Sequence, residues 1–163
     1  MSPKPEASHP HHFTSHLVWT GADRGGTADY EGYSRQVRLD VEGKPSLALS
    51  AAPAFRGDPT LHNPEDLLVA ALSSCHFLSY AAFCARSGIT VLAYEDDASG
   101  TMNHEDGKMR ITEVVLRPRV TLAPGSDAAR AHALHERAHA ACFIASSVNF
   151  PVRNEPTILI AGA

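Results

Sequence analysis

The chain has 163 residues, enough for one domain with a core of its own. Hydrophobic residues make up 44% and charged residues 20%, as in an ordinary globular protein. The net charge of −4 leaves no electrostatic footprint for nucleic acid or an anionic membrane surface, and no apolar run approaches the ~20 residues that cross a bilayer.

Residues 1–12 are rich in Pro, His and Ser and have no apolar centre. They do not read as a secretory leader, and a poorly ordered tail is expected ahead of a domain over residues 13–163. Three cysteines, Cys75, Cys84 and Cys142, cannot all pair within one chain. A reducing, cytoplasmic setting is the expectation, in which each cysteine is either packed and inert or chemically employed.

Leu17 to Trp19 and Arg35 to Val41 read as strands, the second because Val37, Leu39 and Val41 alternate with Arg38 and Asp40. Leu47 and Leu49 continue that sheet before Pro53, Gly57 and Pro59 interrupt regular structure. A helix start follows, with Asn63 at the cap, Pro64 in the first helical position, and Glu65 and Asp66 at the positive end of the dipole. Leu68, Ala71, Leu72, Cys75, Leu78, Ser79 and Ala82 recur at helical spacing and Gly88 suits the stop, which puts Cys75 inside the expected buried stripe. Cys84, nine residues further on, falls on the opposite side and reads as packing.

Val91 to Met102 and Met109 to Leu122 read as two strands joined at Asp106-Gly107, a hairpin signal. Ser126 or Asp127 caps a second helix that runs to about Ser147, and Thr157 to Ile160 returns as an edge strand. The order β-β-α-β-β-α-β predicts an α+β architecture. Positions 67 to 85 are nearly all Ala, Leu, Val, Ser, Phe, Tyr or Cys, so this helix needs covering by a sheet or a second subunit, and a dimer is expected.

Alone, a cysteine on an apolar helical stripe is more often packed than reactive. Cys75 lies about three turns into its helix, too far to be activated by the N-terminal dipole, so a reactive Cys75 needs a cation from elsewhere. His62-Asn63-Pro64-Glu65-Asp66-Leu67-Leu68 and Ser73-Ser74-Cys75-His76, with a second cysteine segment from Cys142-Phe143-Ile144-Ala145 to Ser147-Val148-Asn149-Phe150-Pro151-Val152, resemble the OsmC/Ohr family of osmotically inducible and organic hydroperoxide resistance proteins, in its OsmC-like branch. The resemblance spans roughly Trp19 to Pro156.

That resemblance implies an OsmC-like α+β fold, two long helices packed with antiparallel sheets in an intertwined homodimer. It implies that Cys75 attacks an organic hydroperoxide, becomes a sulfenic acid and condenses with Cys142, and that a dithiol reductant of lipoyl or thioredoxin type reopens the disulfide. No cofactor or metal is implied. A guanidinium oriented by a carboxylate serves the Cys75 thiolate in the family, and Glu65 matches the carboxylate. Arg56 is the preferred guanidinium, with Arg24 and Arg35 as the alternatives from the early strands. The chain departs from better-known members at Phe143, where Pro often follows the second cysteine.

Two other readings compete. His135-Glu136-Arg137-Ala138-His139 is an H-E-x-x-H string, which on a helix would hold zinc with Glu136 as base and Glu155 as a conceivable third ligand. Against it stands a solvated helical face carrying His132, His135 and His139. The other is a non-enzymatic relative, an OsmC fold that binds an apolar ligand or serves in stress without turnover. His62 and His76 flank the proposed site and are expected to satisfy local backbone or carboxylate groups.

Overall fold

The chain divides at Pro64 into two units, each with its own internal packing. The computed structural model describes residues 10–162, so residues 1–9 of the expected tail lie outside the described residues.

The first unit holds three antiparallel strands in sequence order: β1 (His16–Trp19), β2 (Val37–Asp40) and β3 (Leu47–Leu49). Leu17 pairs with Leu39, and Leu39 with Leu47, so the apolar residues of the three strands stand in one row. The long β1–β2 connection folds back on the sheet, where the Trp19 indole donates to the Ser34 carbonyl at 2.8 Å. After β3, a single helical turn over Pro53–Phe55 ends on Arg56, whose φ of 65° is left-handed. Gly57 follows so tightly that a Cβ there would sit 1.5 Å from the Ala51 carbonyl oxygen.

The second unit starts with α1 (Pro64–Arg86), unbroken for 23 residues. It ends in a Schellman closure: Ile89 N–H reaches the Cys84 carbonyl, Gly88 N–H the Ala85 carbonyl, and Gly88 takes φ 70°. By length and composition α1 could cross a membrane, which corrects the expectation that no apolar run is long enough. Here its fully buried line is Leu72, His76, Tyr80 and Cys84, stepping by four residues. This is not the stripe expected from apolar spacing, since Cys75 is half-buried and Leu78 is 66% exposed. A helix apolar all round gives spacing no contrast with which to choose a face.

The two long strands expected after α1 are each broken. They form β4 (Val91–Asp96), β5 (Ser99–Glu105), β6 (Lys108–Leu116) and β7 (Pro118–Leu122). The hairpin at Asp106-Gly107 is present as a two-residue loop with φ 50° and 75°, and it pairs β5 with β6. Its far ends bend away into a separate pairing of β4 with β7. Asp96 fastens the bend: one carboxylate oxygen accepts from Arg117 N–H at 2.6 Å and the other from the Ser73 hydroxyl of α1 at 2.5 Å.

Asp127 caps α2 (Ala128–Ala141) by accepting from Arg130 N–H. The helix stops at Cys142 rather than near Ser147, and the chain tightens into a single turn over Ala145–Ser147. β8 (Val152–Asn154), which the sequence did not announce, then runs parallel to β6, and β9 (Thr157–Ile160) lies parallel at the edge beside β7. Both sheets of this unit are therefore mixed, not antiparallel as the resemblance implied.

Two cores result. Leu72 of α1 packs on Val114 and Leu116 of β6, together with Ile144 and Ala145 just beyond α2. Further along α1, Tyr80 and Cys84 pack with Val120 and Leu122 of β7 and with Ala131, Leu134 and Ala138 of α2. Cys75 and His76 fall between these two clusters along the helix.

Candidate active site

The first core sets the thiol geometry. Leu72 anchors α1 three residues before Cys75, and the same cluster holds Ile144 and Ala145 directly after Cys142. The Cys142 thiol is thereby brought into hydrogen-bond contact with the Cys75 thiol. Cys142 is fully buried at the C-cap of α2, where its sulfur accepts from Ala145 N–H at 3.4 Å. Burial pushes the Cys142 thiol up, and the neighbouring Cys75 adds to it. Both cysteines are free thiols. Cys84 is buried in the other cluster beside Tyr80, and burial raises its thiol as well.

Glu65 occupies the first turn of α1, with its Oε2 buried and lacking a hydrogen-bond partner among the described residues. Arg56 belongs to the first unit and pairs there with Glu31. Arg24, Arg35 and Arg56, left as alternatives by the sequence, line one polar pocket of about 280 Å3 with Gln36 and Asp58. Arg35 donates to the carbonyls of Tyr33 at 2.6 Å and Tyr30 at 2.5 Å, with its guanidinium 3.8 Å from the Tyr33 ring centre. It also borders an apolar cavity of about 450 Å3 lined by Leu17, Trp19, Val37 and Leu49.

The H-E-x-x-H string does not make a metal centre. His135 is fully buried and its Nδ1 lies 2.9 Å from Nε2 of His76, with the two rings stacked. Glu136 is exposed, and among the described residues no group of three or more His, Cys, Asp or Glu is placed to hold a metal. The solvated face expected for His132, His135 and His139 is also corrected, since only His132 is exposed. Nor does His76 satisfy a local group: it crosses to α2. Tyr80 stacks on His135 with ring centres 3.9 Å apart. Burial depresses the basicity of both imidazoles, His76 to about 4 and His135 to about 3. The signal in the sequence was the four-residue step Leu72, His76, Tyr80, Cys84, which apolar counting passed over.

Residues 57–156 match the family described as OsmC-like protein. A solved OsmC-like protein of unknown function from Vibrio cholerae is 31% identical, covers 91% of this chain and 100% of its own, and superposes with a TM-score of 0.84. The uncharacterized protein YmaD of Bacillus subtilis is 25% identical over 140 residues, 83% of this chain and 93% of that one. An organic hydroperoxide resistance protein from Elizabethkingia anophelis shares the fold at a TM-score of 0.68, with 17% identity over 93% of this chain and 98% of its own. With an α+β fold that places cysteines on two helices in contact, the chain belongs to the OsmC-like family.

Proposed function

We propose that the protein is a thiol peroxidase that reduces organic hydroperoxides in oxidative-stress defence. The observation that carries this reading is the contact between the Cys75 and Cys142 thiols. Similarity to organic hydroperoxide resistance proteins, such as those of Elizabethkingia anophelis and Legionella pneumophila, supports it at the level of the fold. The Cys75 thiolate attacks one peroxide oxygen and the O–O bond breaks. The alkoxide takes up a proton and leaves as the alcohol, with Cys75 now a sulfenic acid. Cys142 then attacks that sulfur, the S–O bond breaks, and hydroxide leaves as water with the proton from the Cys142 thiol. A thiol held protonated by burial suits this role. An external dithiol, of lipoyl or thioredoxin type, returns two electrons and restores both thiols.

Arg56 is the proposed guanidinium beside the thiolate and Glu65 the carboxylate that orients it. The proposed assembly is a homodimer in the cytoplasm, formed through the α1 face that holds Leu78, 66% exposed in the single chain. Consumption of an alkyl hydroperoxide with a dithiol donor, in wild type and Cys75→Ser, tests the reading. Turnover lost in Cys75→Ser is the expected result. Consumption unchanged by that substitution, or absent from the wild type with every dithiol donor, overturns it.

A further inference from the structure

The imidazole pair between α1 and α2 has no role in the chemistry above. His76 adjoins Cys75, and His135 lies seven residues before Cys142, two turns along α2 and on the same side as the cap position. The 2.9 Å bond between them therefore sits next to one thiol and in line with the other. Other residues on the facing lines are poor at fixing register. Ala131 and Ala138 on α2 are small, and apolar contacts are non-directional. A slip of one turn moves a helix by about 5.4 Å, more than enough to separate a pair of sulfurs in contact.

We infer that His76 and His135 are positioning residues, a buried hydrogen-bonded clamp that sets α1 against α2 and so holds Cys142 in reach of Cys75. A polar pair at one level of an otherwise apolar helix contact is a known means of specifying register at some expense of stability. The expense is visible: Nδ1 of His76 and Nε2 of His135 are buried and meet no partner among the described residues. The pair is neutral near pH 7, as its depressed basicity requires. Asp96 of β4 opposes that depression at His76, His139 and His132 of α2 reinforce it at one ring or the other, and Tyr80 and Tyr94 face the pair from α1 and β4.

The inference rests on the thiol reading only in what the clamp is for, and its test needs no hydroperoxide. The equilibrium between the Cys75–Cys142 disulfide and dithiothreitol is measured at neutral pH, where two electrons pass from the protein dithiol to oxidised dithiothreitol. In the double variant His76→Leu with His135→Leu, disulfide formation should weaken about tenfold or more while the circular dichroism stays native. His76→Gln and His135→Asn place an amide nitrogen or oxygen where the bonded imidazole nitrogen stood, and each should remain within about threefold of wild type. A folded leucine variant with the wild-type equilibrium overturns the clamp. If that variant does not fold, or if the wild type forms no such disulfide, labelling of Cys142 by an acid-tolerant pyridyl disulfide decides, with the imidazoles followed by NMR. Labelling that rises as they protonate supports the clamp, and labelling that stays flat through their titration overturns it. A protein inert to hydroperoxides but with a histidine-dependent disulfide would keep the clamp and lose the peroxidase.

Discussion

The Cys142 thiol, at the end of α2, hydrogen-bonds the Cys75 thiol in the middle of α1. Cys84, the third thiol, is buried in a different cluster with Tyr80 and Leu122. Oxidation by an organic hydroperoxide should therefore yield a Cys75–Cys142 disulfide and leave Cys84 reduced. Peptide mapping after a stoichiometric pulse reads this directly. In Cys142→Ser, Cys75 should stop at the sulfenic acid and pass to sulfinic acid with excess peroxide. A dominant link to Cys84 would remove Cys142 from its role.

Acid should weaken the fold before the carboxylates are reached. His76 and His135 titrate at about 4 and about 3 when folded, against an ordinary value of 6.5. Between those values and 6.5 the unfolded chain binds more protons, so stability rises with pH across this window and is lost as pH falls through it. The full effect is roughly 3 kcal/mol for His76. A melting temperature that falls from about pH 6.5 to about pH 4, and a flatter profile in His76→Leu with His135→Leu, is the expected outcome. Asp40 and Asp58, whose carboxyls are held low by hydrogen bonds from Ser46 and Thr60, lose their contribution only below their ordinary 3.8, outside that window.

Gly57 fixes the turn that carries Arg56. A Cβ there would overlap the Ala51 carbonyl oxygen at 1.5 Å, and backbone cannot yield as a side-chain tip can. Gly57→Ala should cost at least about 2 kcal/mol in urea unfolding. Gly88→Ala meets no atom within 4 Å and bears only its φ of 70°. It should cost about 1 kcal/mol. Equal costs would show that the turn at Ala51 relaxes freely.

What the sequence disclosed and what it hid follow from contrast. Both ends of α1 were legible because Pro64 and Gly88 are local chemical signals, and so was the Asp106-Gly107 hairpin, whose residues alone suit its left-handed dihedrals. The buried face of α1 was not. With apolar residues on every side, the choice fell on Cys75 and Leu78, whereas packing chose His76 and Tyr80. The bend at Asp96 and the parallel partner β8 depend on contacts 21 and 38 residues apart, which no local window contains. Of the proposed site, the two thiols could be read from their motifs. The imidazole bond beside them could not, since each histidine alone resembles a surface residue.

Glu65 and Cys75 raise the question of how many chains build one site. They lie ten residues apart on an unbroken helix, about 15 Å along its axis. A guanidinium held by Glu65 cannot also reach the Cys75 of the same helix across that span. The Oε2 of Glu65 is buried and finds no partner among the described residues. Midway between the two stands Ala70, small and exposed, with the exposed Ser74 a turn further on. Two α1 helices crossing antiparallel at Ala70 about a two-fold axis would bring Glu65 of each towards Cys75 of the other. Activity should then be restored in trans. Cys75→Ser and Glu65→Ala are each expected to be inactive alone. When they exchange subunits, about half the dimers combine the two, and each of these has one intact site, so about a quarter of wild-type activity should return. Size-exclusion chromatography and native mass spectrometry confirm the exchange independently. If mixed dimers form and activity stays absent, while wild type survives the same treatment, each chain completes its own site and Glu65 acts elsewhere than on the partner's thiolate.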